Sequence, residues 1–221
     1  MTDTRTGSVC VLIVDDHRMF AESLARLLSD EDGIDVVGLA ATASEAVDLA
    51  TRLHPRVVLM DYKLPEQDGV AITAEIKQRD PEVMVVMLTG LTDERILLDA
   101  IEAGCSGFLT KDRAAAEVAD AVRAAAAGEA LISPALLARL LPKLNRTHRE
   151  VGADLTDRER EILRHLARGS SNKVIASELY LSVNTIRNYI QSVLKKLGAH
   201  SKLEAVATAV REGIIDYPTG P

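Results

Sequence analysis

Asp61 ends an apolar run, Val57-Val58-Leu59-Met60, and the chain then turns through Tyr62-Lys63-Leu64-Pro65 towards Gly69. Three other apolar runs end on polar groups in the same way. Asp15-Asp16 follow residues 9–14, Thr89 follows residues 83–88, and Lys111 stands just beyond Gly107-Phe108-Leu109. In an open parallel sheet, sites assemble beyond the carboxyl ends of the strands, so these residues are candidates for one site. Carboxylates crowded there repel one another and raise each other's pKa, and a hard divalent cation relieves the repulsion. Mg2+ suits such oxygen ligands and keeps several waters. A carboxylate is also a nucleophile towards phosphorus, giving an aspartyl phosphate. Mg2+ and the Lys111 ammonium would then stabilise the charge of the incoming phosphoryl group, and the Thr89 hydroxyl would donate to one of its oxygens. Singly, each residue has an ordinary explanation: a strand-end Asp caps a helix, Thr suits strand ends, and Lys is a solvated charge. Their joint occurrence at four strand ends carries the chemical reading.

The elements that must position them follow from the pattern. Short apolar runs at 9–14, 34–40, 57–60, 83–88 and 106–109 read as strands, and helical periodicity falls between them. Phe20, Leu24, Leu27 and Leu28 mark the first helix, with others near 43–53, 68–79, 92–103 and 113–127. Alternation of this kind predicts a parallel sheet joined by right-handed crossovers and covered by helices on both faces.

Beyond Gly128 a short helix is expected from Pro134 through 135–141, and the polar stretch 142–153 reads as a linker. Four helices follow, near 157–168, 171–179, 183–197 and 201–212, with Ser182 as an N-cap and Gly169 and Gly198 as stops. At 221 residues the chain has room for two domains. Charge divides it too: through residue 135 there are 24 Asp and Glu against 12 Lys and Arg, and thereafter 9 against 14. Nucleic acid, if bound, is expected to meet the basic C-terminal part. In the helix 183–197, Ile186, Ile190, Val193, Leu194 and Leu197 form an apolar stripe. The opposite face carries Asn184, Arg187, Asn188, Gln191 and Lys195, mostly amides and Arg of the kind that read base edges in a major groove. A solvated surface helix is the plainer reading of such a face. The helix before it supplies the first half of a helix-turn-helix pair.

Cys10 and Cys105 lack CxxC spacing and read as buried free thiols of a reducing compartment. No stretch approaches a membrane span and the N-terminus has no apolar signal region, so a cytoplasmic protein is expected.

Val11-Leu12-Ile13-Val14-Asp15-Asp16, Leu59-Met60-Asp61 with Pro65 and Gly69, Thr89, and Phe108-Leu109-Thr110-Lys111 resemble the receiver domain of bacterial two-component response regulators. Leu155-Thr156-Asp157-Arg158-Glu159-Arg160-Glu161-Ile162-Leu163, with Asn172-Lys173, Leu181-Ser182, Thr185-Ile186-Arg187 and Lys196-Leu197, resembles the LuxR-type helix-turn-helix. Together they make the chain similar to NarL/FixJ-subfamily regulators.

The resemblance implies an α/β, flavodoxin-like five-stranded parallel sheet of order 2-1-3-4-5 over residues 8–128. A linker at 129–152, in part helical, and an all-α four-helix domain at 153–215 would follow. It assigns Asp61 as phosphoacceptor, Asp16 and Asp61 as direct Mg2+ ligands, Asp15 as a ligand through water or an orienting group, and the Lys63 backbone carbonyl as the remaining protein ligand. Thr89 and Phe108 become switch residues. Arg187, Asn188 and Gln191 would face bases, and Asn172, Lys173, Thr185 and Lys195 would approach phosphates. Tyr189 stands where His is common. The small strip Ala205, Thr208 and Ala209 of the last helix would serve a homodimer on paired half-sites. The expected partners are a histidine kinase, DNA and, further on, RNA polymerase. Phosphorylation would release the basic module from an inhibitory contact with the acidic receiver.

Two other readings exist. A haloacid-dehalogenase-type phosphatase uses a similar set but needs a second Asp two residues after the nucleophile, where this chain has Lys63. A receiver acting as a phosphorylation-independent binding module would have no use for the full set of five residues.

Overall fold

The computed structural model describes residues 7–65, 67–88, 94–111, 113, 115–141, 152 and 154–216. Thr89 and Leu91, the linker stretch 142–151 and the tail 217–221 lie outside the described residues. The chain divides into two units: residues 1–92 with 105–131, and residues 93–104 with 132–221.

The first unit holds five parallel strands, β1 (Val9–Val14), β2 (Ile34–Ala40), β3 (Val57–Asp61), β4 (Met84–Leu88) and β5 (Gly107–Leu109), in the order β2-β1-β3-β4-β5. This is the expected order. The central strands are apolar without alternation because both faces are covered, and β3 is buried at every residue. Val11, Ile13, Leu59 and Val86 pack with Leu24 and Leu28 of α1 (Arg18–Ser29) and Val118 and Val122 of the fifth helix, Ala115–Ala126. Each such side chain contributes about 1.5–3 kcal/mol on burial. α2 (Ala43–Leu53) and α3 (Gly69–Arg79) are closed at their N-termini by Thr42 and Asp68, whose side chains accept from the Glu45 and Ala71 amides.

The β5 edge is not bare. Leu131 forms a parallel bridge with Gly107, donating to the Ser106 carbonyl at 2.9 Å while its own carbonyl accepts from the Phe108 amide at 2.8 Å. A Cβ on Gly107 would overlap the Leu131 side chain, which explains the glycine.

The second unit is helical. It contains α4 (Glu94–Glu102), α6 (Pro134–Leu140), α7 (Asp157–Ala167), α8 (Asn172–Glu178), α9 (Val183–Leu197) and α10 (Lys202–Arg211), with α5 the Ala115–Ala126 helix of the first unit. Ile162, Leu163, Ile175, Ile186, Ile190, Val193, Leu203 and Val206 fill its core. The expected helix near 92–103 exists, but its partners are not those expected of a crossover covering the sheet. Glu102 pairs with Arg211 at 2.9 Å and Glu94 with Arg139 at 2.8 Å, and α4 packs on α10 and α6. Ala205, Thr208 and Ala209, the strip read as a dimer surface, are buried inside this unit.

Both cysteines are free thiols, Cys105 buried and Cys10 half-buried. No described helix is long and apolar enough to cross a membrane.

Candidate functional site

The carboxyl ends of β1, β3 and β5 bring Asp15, Asp16, Asp61 and Lys111 together. Lys111 Nζ lies 2.6 Å from Asp15 Oδ2 and 2.8 Å from Asp61 Oδ2, and 5.0 Å from the centre of the Phe20 ring. Asp15 and Asp61 are buried, whereas Asp16 is exposed. Asp15 also works locally, since its Oδ1 accepts from the His17 amide at 2.9 Å where α1 begins. The loop after Asp61 returns tightly: the Gly69 amide donates to the Tyr62 carbonyl at 2.8 Å, and a Cβ at Gly69 would overlap the Asp61 carbonyl oxygen. Gly69 is therefore required for close approach.

Burial pushes the Asp61 carboxyl above its ordinary value, and neighbouring Asp15 adds to the rise, against the lowering effect of Lys111 and the Lys63 backbone amide. Burial acts the other way on Lys111, but its close pairing with the Asp15 and Asp61 carboxylates outweighs it and holds the ammonium above its ordinary value. Asp61 Oδ2, although close to the ammonium, receives no aligned hydrogen bond, and it is the one buried side-chain oxygen or nitrogen in that condition among the described residues. A buried carboxylate oxygen without a donor is open to a cation or an electrophile.

Ligand atoms of Asp15, Asp16, His17 and Asp61 all lie within 4.8 Å of one another, so the chain has a cluster able to hold a metal ion. The oxygen-rich donor set and the orphaned Asp61 oxygen fit Mg2+. His17 was not among the residues singled out in the sequence. Its Nδ1 sits 2.9 Å from Asp16 Oδ1 and 3.3 Å from Asp15 Oδ1, and adjacency to Asp15-Asp16 was the available signal. Lys63 is exposed, and Phe108 is half-buried in β5.

The second constellation is α9. Ser182 caps it, accepting from the Thr185 amide, and Gly198 closes it with φ +64°. Ile186, Ile190, Val193 and Leu197 are buried, while Asn184, Arg187, Asn188, Gln191 and Lys195 are exposed on one helix, as their spacing implied. Lys173 is exposed and Thr185 half-exposed. Asn172 differs: it is 1% exposed, and its Oδ1 accepts from the buried Lys202 Nζ at 2.8 Å. Its side chain is thus turned into the unit rather than towards a phosphate.

The matches with known proteins agree with both halves. Residues 11–123 match the family described as response regulator receiver domain, and residues 153–209 match the luxR family of bacterial regulatory proteins. The chain belongs to the LuxR-type, DNA-binding response regulators of two-component systems, which are transcription factors and not classical enzymes. Among curated proteins it is similar to the response regulator VraR of Staphylococcus epidermidis and of Staphylococcus aureus. Each is 34% identical over 208 residues, 94% of this chain and 99% of that protein. Among solved structures it is similar to the response regulator ChrA of a heme-sensing two-component system, at 30% identity and TM-score 0.51, covering 95% of this chain and 100% of that one. It is also similar to RcsB, solved as two dimers bound to two parallel DNAs, at 25% identity and TM-score 0.54, covering 92% and 98%. The phosphatase reading falls with the family.

Proposed function

We propose that Asp61 accepts a phosphoryl group from a histidine kinase and that the acyl phosphate controls dimerisation and DNA binding. The observation that carries this reading is the buried Asp61 Oδ2, without an aligned hydrogen bond, beside Lys111 and the acidic cluster. A carboxylate oxygen of Asp61 attacks phosphorus, and the acyl phosphate bond forms as the phosphorus–nitrogen bond of the kinase's phosphohistidine breaks. The imidazole leaves with the electron pair. Asp16 and Asp61, with the Lys63 carbonyl and with Asp15 orienting or acting through water, would hold Mg2+, which neutralises charge on the phosphoryl oxygens. Lys111 would exchange its contact with Asp61 for one to the new phosphoryl group, and Thr89 would donate to an oxygen of it. Phe108 completes the switch by repacking in β5.

The output follows from the second unit. Arg187, Asn188 and Gln191 read bases, with Asn184 on the same face, and Lys173, Thr185 and Lys195 meet phosphates. Dimerisation through α10 requires its covered strip to open. The Glu102–Arg211 pair and the packing of α4 on α10 are contacts that would have to give way for that opening. Regulation of this kind ends at RNA polymerase.

The test treats the chain with a small acyl phosphate and Mg2+, then follows phosphate on Asp61, oligomeric state and DNA affinity at fixed salt. Phosphorylation should raise the last two together. Equal DNA affinity in both states would remove the switch and leave the DNA binding. A receiver that binds without being phosphorylated would show no incorporation.

A further inference from the structure

Five helices among the described residues end in the same hydrogen-bonded closure, in which a residue with positive φ donates to one carbonyl and the next residue reaches back one position further. Four use glycine: Gly128, Gly169, Gly198 and Gly213, with φ between +64° and +75°. Their closing bonds are Glu129 to Ala124, Ser170 to His165, Ala199 to Leu194 and Ile214 to Ala209. The fifth ends α8. There the Leu181 amide donates to the Ala176 carbonyl at 2.9 Å and the Tyr180 amide to Ser177 at 3.4 Å, and the left-handed residue is Tyr180, with φ +55°.

A side chain in that conformation is strained wherever it stands, because Cβ crowds the backbone carbonyl. Strain is ordinarily repaid by packing or by a hydrogen bond, yet Tyr180 is 95% exposed, the most exposed large hydrophobic side chain among the described residues. His54, the other non-glycine with positive φ among the described residues, faces Asp80 at 3.9 Å. Tyr180 thus has neither a fold reason for its ring nor a backbone reason for its type, in the turn two residues before the Ser182 cap of α9.

We propose that Tyr180 is a DNA-backbone contact whose phenol hydroxyl donates to a phosphate oxygen at the rim of the groove that α9 enters. This rests on the reading of α9 as the DNA-reading helix. The turn leads straight into the end of α9 whose free amides and partial positive charge favour phosphate. Tyr hydroxyls are among the groups that hold phosphates and set register without reading sequence. The contact is therefore independent of base sequence.

The test compares the full chain with Tyr180→Gly, Tyr180→Phe and Lys195→Ala on a short duplex of random sequence at fixed salt. Tyr180→Gly restores the closure used at the other four helix ends, so it should melt a few degrees higher while binding about three- to tenfold more weakly. Tyr180→Phe keeps ring and strain, so it should melt like the parent and bind with a similar loss. Parent-like binding by either variant overturns the proposal. Reduced transcription from a promoter at unchanged duplex affinity also overturns it, and assigns the ring to the polymerase. If Lys195→Ala binds more weakly while both Tyr180 variants bind normally, only this inference fails. If all three bind normally, the reading of α9 fails with it.

Discussion

Both units bury a carboxylate against a lysine, with opposite results. In the helical unit, Glu159 Oε2 accepts from the Thr156 amide at 2.7 Å, the Thr156 hydroxyl at 2.9 Å and Lys196 Nζ at 2.7 Å, while Oε1 accepts from the Ser192 hydroxyl at 2.6 Å. Burial alone would raise its pKa, but Lys196, Ser192 and Thr156 together bring it down to about 2. In the sheet unit, Asp61 shares Lys111 with Asp15, keeps an oxygen without an aligned donor, and is held above its ordinary value by burial. One carboxylate has a donor on each oxygen and ties α7 to α9. The other is left with an oxygen that receives no aligned hydrogen bond. Residue types alone, an acid and a lysine in each case, do not separate a structural pair from a reactive one. The count of donors does.

The largest effect that could break this contrast is at Asp61. Asp61→Asn should abolish acyl phosphate formation completely while melting no lower than the parent, because it removes a desolvated charge that the fold does not satisfy. A clear fall in melting temperature would make Asp61 structural and remove the distinction. Lys111→Ala should slow phosphorylation by about 10²-fold, the scale of losing one preorganised cationic donor. Retention of the parent rate would show that Lys111 serves only to neutralise Asp15.

Glu159→Gln should destabilise the helical unit by roughly 2 kcal/mol at neutral pH, since Lys196 loses its charged partner. The sign with pH is fixed by the lowered value. Glu159 contributes fully above the ordinary 4.5, and the contribution disappears as pH falls towards about 2. Denaturant melts followed between those values should therefore converge for parent and variant, and parallel curves would contradict the cage. The smallest effect is expected for Ser192→Ala, which removes one of the four donors and should cost about 1 kcal/mol, measured the same way.

Much of the acidic site was legible because strand ends are marked in the sequence: an apolar run stops on a charged residue, and parallel topology sends all such ends to one side. Asp15, Asp16, Asp61 and Lys111 converge for that reason. The exposed face of α9 was equally legible, since fifteen residues give the helical period room to show. What escaped depends on contacts distant in sequence. α8 has only seven residues, too few for periodicity to show which way Asn172 points, and its partner Lys202 lies thirty residues away. The affiliation of α4 turns on Glu102 meeting Arg211, over a hundred residues on, and Ala205, Thr208 and Ala209 are buried in a unit whose helices α4 and α7 lie far away in sequence.

The pairing of Leu131 with β5 has a mechanical consequence. The chain leaving the sheet unit is fastened by two backbone bonds, to Ser106 and from Phe108, that flank Gly107. Those two bonds fix the backbone of Leu131 against the strand that carries Phe108, three residues before Lys111, so a change in the packing of that strand alters the point at which the chain leaves the sheet.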